Sequence, residues 1–281
     1  VEAALVVSLM FASVFSGAVV VIYRLQLRDG ALVSSGQVPS TANMSQVGED
    51  AFGSERQKCS TAAPKWIDPE IIDIEKLKRL PIVTGKGFSN SAKRILDIFL
   101  SFSLLLFTTP LIIFVALDIK TDSSGPVLYR QARVGRAGKE FTILKFRTMC
   151  VDAESDGPKW ASRNDPRVTR IGLFLRKTRI DEIPQAVNIL KGDMSFVGPR
   201  PERPEFTENL AGQMPNFKAR TLVKPGLTGW AQVTLPYAAN IAETRQKLSC
   251  DLYYIENHSF LLDLFIIMKT FRVALFTDSA H

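Results

Sequence analysis

The arrangement of this chain is set by residues 93–120, KRILDIFLSFSLLLFTTPLIIFVALDIK. The apolar part is long enough to cross a bilayer, yet the chain is basic on both sides of it. Basic flanks stay in the cytoplasm, so both ends are expected on one membrane face. Pro110 removes a backbone donor near the middle, and the hydroxyls of Thr108 and Thr109 can satisfy freed carbonyl groups. We predict a re-entrant helix over residues 89–120 that bends at Thr109–Pro110; an ordinary kinked span is the alternative.

A second apolar block, residues 3–22, carries no charge and is also long enough to span a bilayer. Arg24 and Arg28 follow it and place its C-terminal flank in the cytoplasm. We predict a transmembrane helix over residues 1–28. A cleaved signal peptide is the alternative, although no basic region precedes the block. Residues 29–88 are predicted to be mostly a disordered linker, because much of this segment is polar and lacks apolar periodicity.

Composition excludes several classes of protein. A chain of 281 residues forms one or two domains. Its three cysteines, Cys59, Cys150 and Cys250, are isolated in sequence and cannot build a disulfide framework. Its two histidines, His258 and His281, exclude a histidine-rich metal site. The 35 Lys and Arg against 28 Asp and Glu leave a net charge of +7, which favours an anionic partner such as phosphate, nucleic acid or an acidic membrane.

Residues 121–281 are predicted to form a cytoplasmic domain of the α+β class, rich in helix with a small β-hairpin. The last apolar stretch has charges spaced along it, which suits a helix that lies on the membrane surface or closes the core. The predicted strands are 126–131 and 140–146, joined by a glycine-bearing turn at 135–138. The predicted helices are 66–80, 171–177, 180–190, ending at Gly192, and 260–276.

The hairpin is strongly basic and carries Arg133, Lys145 and Arg147. Glycines alternate with arginines in RVGRAG, residues 133–138, and glycine lets a backbone approach a phosphate closely. These residues are candidate phosphate ligands. The alternative is a solvated charged face.

Asp181 and Glu182 stand in the first turn of the predicted helix 180–190. Acidic residues at this position commonly complement the helix dipole. Arg176 and Arg179 lie nearby in sequence, and a carboxylate pair among cations is also typical of a catalytic site. Both interpretations stay open on local grounds.

The segment Gly198-Pro199-Arg200-Pro201 holds an arginine between two prolines. Each proline fixes its own φ and restricts the residue before it, so Arg200 has little backbone freedom. A guanidinium ordered in advance binds a phosphate or stacks on a base at lower entropic cost. A structural turn with a solvent-facing arginine is the alternative.

Taken together, these stretches resemble the bacterial sugar transferases known as monotopic phosphoglycosyl transferases. The resemblance covers about residues 93–276, and several long motifs occur in the right order. They are KRILD at 93–97 before the proline-broken helix, GPVLYRQARVGRAGKEFTILKFRTM at 125–149, DPRVTRIGLFLRKTRIDEIPQAVNILKGDMSFVGPRP at 165–201 and KPGLTGWAQV at 224–233.

The resemblance implies transfer of a sugar 1-phosphate from a UDP-sugar to undecaprenyl phosphate, at the cytoplasmic face of the bacterial inner membrane. It implies a catalytic pair at Asp181 and Glu182, Mg²⁺ on Asp181, and a membrane bend at Thr109–Pro110. An aspartyl-phosphosugar intermediate is reasonable, since ionised Asp181 needs no base. The expected substrate-binding residues are Arg176 for the acceptor phosphate, Arg200 with Pro199 and Pro201 for the nucleotide, and Arg133, Lys145 and Arg147.

Several matters stay open at this point. A catalytically silent membrane scaffold that binds nucleotide sugar or polyprenyl phosphate is the alternative function. A nucleic-acid partner is not expected, because no aromatic stacking platform accompanies the arginines. The resemblance favours hexose donors such as UDP-galactose or UDP-glucose. A homo-oligomer, the role of Glu182, and the roles of the N-terminal span and the linker are left open.

Overall fold

The computed structural model describes residues 67–85, 88–155, 157, 165–236 and 240–276. The predicted N-terminal transmembrane helix and most of the predicted linker lie outside the described residues. Within the described residues the protein is helix-rich α+β with two small sheets, which confirms the predicted class. The helices are α1 (Ile74–Lys78), α2 (Pro81–Thr84), α3 (Phe88–Asp122), α4 (Arg170–Lys177), α5 (Gln185–Lys191), α6 (Pro204–Gln213), α7 (Trp230–Thr234), α8 (Ile241–Glu256) and α9 (Phe260–Phe276). The strands are β1 (Leu128–Val134), β2 (Glu140–Phe146), β3 (Ser195–Val197) and β4 (Gly226–Thr228).

Helix α3 is the one candidate membrane helix among the described residues, with its apolar stretch over Ser89–Asp122. It runs through Pro110 as one 35-residue helix, so the predicted bend is not seen as a break. The hydroxyls of Thr108 and Thr109 donate to the carbonyls of Leu104 and Leu105, at 2.6 and 2.7 Å. Each hydroxyl bonds to the carbonyl four residues earlier, one turn back along the helix. Bonds of this kind commonly bend a helix.

One face of α3 is buried along both halves of the helix. Before Pro110, Leu100 and Leu104 join a large apolar core with β3, α6, α8 and α9. After Pro110, the helix enters a second apolar cluster through three buried side chains and meets β2, α4 and the turn that follows α4. The buried residues of this second half are Leu111, Val115 and Ile119. The opposite face stays exposed although it is apolar; its residues are Ile95, Ile98, Phe99, Phe102, Leu106, Phe107, Ile113, Phe114 and Leu117.

Two charged residues attach the start of α3 to the domain. The Asp97 carboxylate accepts hydrogen bonds from the Phe196 N–H at 2.8 Å and from Ser195 Oγ at 3.1 Å, both in β3. The Arg94 guanidinium donates to the carbonyls of Ile189 and Leu190 at 2.6 and 2.8 Å, at the end of α5. The charged motif at the start of α3 therefore docks this helix onto the rest of the protein.

The predicted hairpin is confirmed, with a shift in its first strand. β1 and β2 pair antiparallel from Leu128 opposite Phe146 to Val134 opposite Glu140. β1 therefore runs to residue 134 rather than ending at 131. The turn at Arg136–Gly138 lies within the predicted residues 135–138, and antiparallel pairing with β2 extends β1 up to that turn.

The predicted helix 180–190 is divided in the structure. Ile180–Glu182 forms a 3₁₀ turn, and α5 begins only at Gln185, directly after Pro184. Proline has no N–H to donate, so it fits the start of a helix but not its interior. The predicted end at Gly192 is confirmed, since this residue has φ +94° in the left-handed region.

The division also changes which side chains face the core. Val187 and Leu190 would share one face with Ile180 and Ile183 in a continuous helix over 180–190, but they are only half-buried, because the 3₁₀ turn shifts the phase of the helix. The buried apolar side chains of this segment are Ile180, Ile183, Ala186 and Ile189. Ile180 and Ile183 both pack in the second apolar cluster against α3, so they anchor the turn between them.

Helix α9 has the predicted bounds and closes the core, which is one of the two predicted roles; contact with the membrane surface stays a prediction. Ile266 and Ile267 are buried and close the larger core, together with the Asp263 carboxylate. A second face is exposed although it is apolar, as on α3. Its residues are Phe260, Leu261, Phe265 and Met268.

Candidate active site

The carboxylates of Asp181 and Glu182 are held in the tight turn between α4 and α5. Arg179 begins the turn in the left-handed region, with φ 59°. Ile180 and Ile183 on either side fill the apolar cluster. Both acidic residues are consequently buried, with relative exposures of 8% and 7%. Their burial does not fit the alternative in which acidic side chains at an exposed helix end complement the helix dipole.

Glu182 is clamped by two cations from separate elements. Its Oε1 atom lies 2.9 Å from Lys145 Nζ, on β2, and 2.5 Å from Arg200 Nη2, in the segment after β3. Burial by itself disfavours the charged form, but Arg200 and Lys145 outweigh it and hold the pKa of Glu182 well below its usual range. Glu182 is therefore a fixed negative charge that brings Lys145 and Arg200 together.

Asp181 differs from its neighbour. Its carboxylate makes no hydrogen bond or ion pair with any residue in the described ranges. Burial and the negative charge of Glu182 raise its pKa to about 6, against the opposing effect of Lys145, Arg200 and Arg179. At neutral pH Asp181 is an ionised carboxylate with free oxygen atoms beside two cations, which are the properties of a nucleophile or a metal ligand.

The structure brings Arg200, a predicted site residue, into contact with Glu182. Pro199 and Pro201 are buried on either side, while the Arg200 side chain keeps one-third exposure. The segment borders a cleft of about 290 Å³, whose lining includes Gly135, Pro199, Arg200, Pro201 and Arg220. An arginine that is paired on one side and open on the other is available to a phosphate or nucleotide.

Arg133 and Arg176 are held near the site by other partners. Arg133 donates to the Pro201 carbonyl at 3.1 Å, and so supports the segment that carries Arg200. Arg176 donates through Nε to Thr148 Oγ1 at 2.9 Å. Their contact with substrate stays a prediction.

Arg147 is not brought into the cluster. Its guanidinium is buried at the end of α3, where it donates to the carbonyls of Ser123 and Ser124 at 2.7 and 2.5 Å. Its Nη2 atom also lies 3.4 Å from the Ile119 carbonyl, which belongs to the last turn of the helix, where carbonyl groups lack partners within the helix. In the structure Arg147 acts as a helix cap, and a contact with substrate stays a prediction. Thr109 and Pro110 lie on the exposed side of α3.

The donor set at the turn suits Mg²⁺ only in part. No group of three or more Asp, Glu, His or Cys side chains converges anywhere in the described part of the chain. Mg²⁺, however, commonly takes one or two carboxylates and completes its shell with substrate phosphates and water. The free carboxylate of Asp181 fits that use, whereas Glu182 already has two cationic partners.

Sequence reasoning missed Arg220 and Asp251, which lie behind the Arg200 segment. Arg220 Nη2 donates to the Arg200 carbonyl at 2.9 Å and lies 2.7 Å from Asp251 Oδ2. No motif marks either residue. Because they come from different elements, only their packing reveals the pair.

The sequence profile of bacterial sugar transferases matches residues 88–277, from the first residue of α3 to just beyond the end of α9. The chain belongs to the bacterial sugar transferase family. This confirms the resemblance carried by the motifs. The matched region covers α3 to α9, so the candidate membrane helix α3 is part of the family unit.

Curated relatives of this sugar transferase carry specific names. An Aeromonas hydrophila protein, UDP-N-acetylgalactosamine-undecaprenyl-phosphate N-acetylgalactosaminephosphotransferase, is 45% identical over 183 residues, which are 65% of this chain and 43% of that protein. A Caulobacter vibrioides UDP-glucose:undecaprenyl-phosphate glucose-1-phosphate transferase is 43% identical over 193 residues, 67% of this chain and 72% of the relative. A Rhizobium leguminosarum exopolysaccharide production protein PSS is 42% identical over 186 residues, 63% of this chain and 92% of the relative. The chain thus spans less than half of the Aeromonas protein and more than two thirds of the other two.

Proposed function

We propose that this protein transfers a sugar 1-phosphate from a UDP-sugar to undecaprenyl phosphate, giving undecaprenyl-diphosphate-sugar and UMP. The transfer would be the first membrane step of exopolysaccharide or related glycan assembly. The names of the Aeromonas and Caulobacter relatives support the reaction class, and the name of the Rhizobium relative supports a role in exopolysaccharide production. The observation that carries the proposal is the buried, ionisable Asp181, whose carboxylate has no partner in the described ranges and lies beside Lys145 and Arg200.

The proposed reaction has two displacement steps at one phosphorus atom. In the first, an Asp181 carboxylate oxygen forms a bond to the sugar-side phosphorus of the donor, and the bond between the two phosphates breaks. UMP leaves with the electron pair, and an aspartyl-phosphosugar remains. In the second, an oxygen of undecaprenyl phosphate attacks the same phosphorus, and Asp181 leaves as a carboxylate. Such transfers ask the protein mainly for positioning and charge neutralisation.

Glu182 has an electrostatic role in this proposal. Its low pKa makes it a poor proton acceptor, and neither Asp181 nor the acceptor phosphate has a proton that must be removed at neutral pH. Glu182 instead keeps Lys145 and Arg200 next to Asp181. The two cations are placed to receive the negative charge of the donor diphosphate.

Asp181 is also the residue that would hold Mg²⁺. When bound, the cation supplies positive charge that lowers the repulsion between a carboxylate nucleophile and an anionic diphosphate. The protein would supply the Asp181 carboxylate as the ligand, because the Glu182 carboxylate is already paired with Lys145 and Arg200.

We further propose that α3 enters and leaves the membrane on its cytoplasmic side. Leu104 before Pro110 and Val115 after it both pack on the same globular body. If α3 crossed the bilayer, the globular body would lie on one side of the membrane. About 20 residues of the helix would then make no contact with that body. The proposed location is the inner membrane, with Asp181 near the depth of the acceptor's phosphate.

The decisive experiment is an assay of UMP release with the full chain in membranes or detergent. Undecaprenyl phosphate, Mg²⁺ and a panel of UDP-sugars are supplied, with UDP-glucose and UDP-galactose first. Release that depends on both the acceptor and Asp181 is expected with at least one hexose donor. Donor binding without release from any sugar would contradict the proposal and favour a silent scaffold.

A further inference from the structure

The segment that carries Arg200 is held by its backbone. Four consecutive carbonyl groups, those of residues 199–202, each accept a hydrogen bond from outside the segment. Two donors are backbone N–H groups of strands, and two are arginine side chains. In order along the segment, the donors are Gly226 N–H at 2.9 Å, Arg220 Nη2 at 2.9 Å, Arg133 Nη1 at 3.1 Å and Val134 N–H at 2.9 Å.

The bond from Arg220 restrains a torsion that the two prolines do not fix. Pro199 and Pro201 lock their own φ angles and restrict the residues before them to extended geometry. The direction of the Arg200 carbonyl depends on the ψ angle of Arg200, which still varies within that region. By holding this carbonyl, Arg220 sets the remaining backbone variable of Arg200.

Arg220 is itself fixed by three contacts. Its Nη2 atom lies 2.7 Å from Asp251 Oδ2 in α8, and its Nη1 atom lies 3.7 Å from Glu202 Oε1. Its guanidinium stacks over the Phe217 ring, 5.1 Å from the centroid. The Arg220 and Asp251 side chains are only 10% and 3% exposed. A planar guanidinium can make these contacts at once, whereas a lysine ammonium cannot.

We propose that Arg220, held by Asp251, is a positioning residue for Arg200. The pair keeps the Arg200 guanidinium on Glu182 and directed to the donor phosphates. In the described structure neither Arg220 nor Asp251 forms a hydrogen bond or ion pair with Asp181 or Glu182, so the pair acts through Arg200. This inference rests on the proposed function, because it assigns Arg200 a substrate to bind.

The test is a double-mutant cycle on UMP release with Arg220→Ala, Arg200→Ala and both together. We expect Arg220→Ala to lower kcat/KM about tenfold or more when Arg200 is present, and less than twofold when Arg200 is already alanine. Equal losses in the two backgrounds would overturn the positioning role, since a general loss of structure does not depend on Arg200. Arg245→Ala is the matched control, because Arg245 is an arginine on α8, the helix that carries Asp251, but forms an exposed pair with Glu70.

A second readout does not need turnover. Hydrogen exchange measured by mass spectrometry reports the Gly226 and Val134 amides, which donate to the carbonyls of Pro199 and Glu202. We expect faster exchange of peptides containing these amides in Arg220→Ala than in Arg245→Ala. Unchanged exchange would contradict the positioning role, whether or not the wild-type protein releases UMP. Absence of UMP release from the wild-type protein would separately refute the proposed function.

Asp251→Asn provides a milder variant in case Arg220→Ala does not fold. It removes the charge that holds Arg220 but leaves the guanidinium in place. A smaller loss of kcat/KM that again disappears in the Arg200→Ala background is expected. A loss that persists in that background would count against the pair.

Discussion

At the residue scale, Asp181 and Glu182 are adjacent carboxylates with different partners. Lys145 and Arg200 neutralise Glu182, and its pKa lies below the usual range despite burial. Asp181 lacks a partner in the described ranges, and burial with the charge of Glu182 raises its pKa to about 6. This difference is the basis for the electrostatic role proposed for Glu182 and the nucleophilic role proposed for Asp181, and residue type and order alone do not reveal it.

Asp181→Asn tests the nucleophile directly. The amide keeps the shape of the side chain but cannot form the carboxyl-phosphate bond, so UMP release should fall about a thousandfold or more. The thermal unfolding midpoint should change little, since Asp181 makes no hydrogen bond with the described residues. Mass spectrometry of the wild-type protein with donor and no acceptor should detect a phosphosugar on Asp181. Near-normal turnover of the variant would refute the nucleophile assignment.

At the element scale, a buried polar network joins α3 to α9. Lys93 Nζ lies 2.9 Å from Asp263 Oδ2, and Tyr254 donates to Asp263 Oδ1 at 2.7 Å. His258 Nε2 lies 3.2 Å from Asp263 Oδ2. The carboxylate thus ties the start of the membrane helix to the last helix of the domain.

Asp263→Asn should destabilise this junction. The change leaves the Lys93 ammonium partly buried without its ion pair, and broken buried pairs typically cost about 3–5 kcal/mol of unfolding free energy. Denaturant or thermal unfolding in detergent measures the loss. Glu256→Gln is the control, since Glu256 pairs with a Lys76 that is mostly exposed. Equal stability of the two variants would contradict the prediction.

The same carboxylate predicts a pH dependence of stability. Burial opposes the charge of Asp263, but Lys93 and His258 outweigh it and lower its pKa below the usual value. A lowered carboxyl pKa contributes stability above the unfolded value of about 3.9, and the contribution disappears as pH falls through the folded value. The wild-type unfolding midpoint should therefore fall more steeply below pH 4 than that of Asp263→Asn. Parallel curves would contradict this.

Whether the two ends of α3 lie on the same side of the membrane can be tested by labelling each end. Ser91 and Asp122 are exposed near its two ends. In a variant whose native cysteines are serine, Ser91→Cys and Asp122→Cys should react with a membrane-impermeant maleimide only after the cytoplasmic side is opened. Labelling from opposite sides of the membrane would refute the re-entrant arrangement and restore an ordinary span.

At the scale of the whole molecule, the candidate active site and the candidate membrane helix α3 share one apolar cluster. Ile180 and Ile183, which flank the two carboxylates, pack in the same cluster as Val115 of α3. The exposed apolar faces of α3 and α9 leave the domain with surfaces suited to lipid. In the proposed arrangement, the depth of α3 in the membrane would set the depth of Asp181.

Removal of divalent cations should stop the assembled enzyme. Asp181 offers a single free carboxylate, so any Mg²⁺ would be held weakly and largely by the donor diphosphate. EDTA should abolish UMP release, and excess Mg²⁺ should restore it without a change in the unfolding midpoint. Full activity after chelation and desalting would show that Lys145 and Arg200 neutralise the diphosphate unaided.

Much of the local structure follows from neighbouring residues. Helix α9 has its predicted bounds, Gly192 ends α5, and the strand 140–146 was predicted without error. Periodicity and turn residues act over a few positions, so they are visible in the sequence. The prediction of one helix over 180–190 is wrong before Gln185. The sequence does not show on which side of Pro184 the helix begins.

The sequence by itself determined the family, the long apolar helix and the candidate residues Asp181, Glu182 and Arg200. Long ordered motifs and the length of an apolar run are properties of the chain alone. Tertiary structure decided which candidates share a site. Lys145 and Arg200 meet at Glu182 because β2, the 3₁₀ turn and the segment after β3 pack together. Arg147, equally basic in sequence, caps α3 instead. Charge and spacing along a chain do not specify such contacts, since they depend on how distant elements bury their apolar faces against one another.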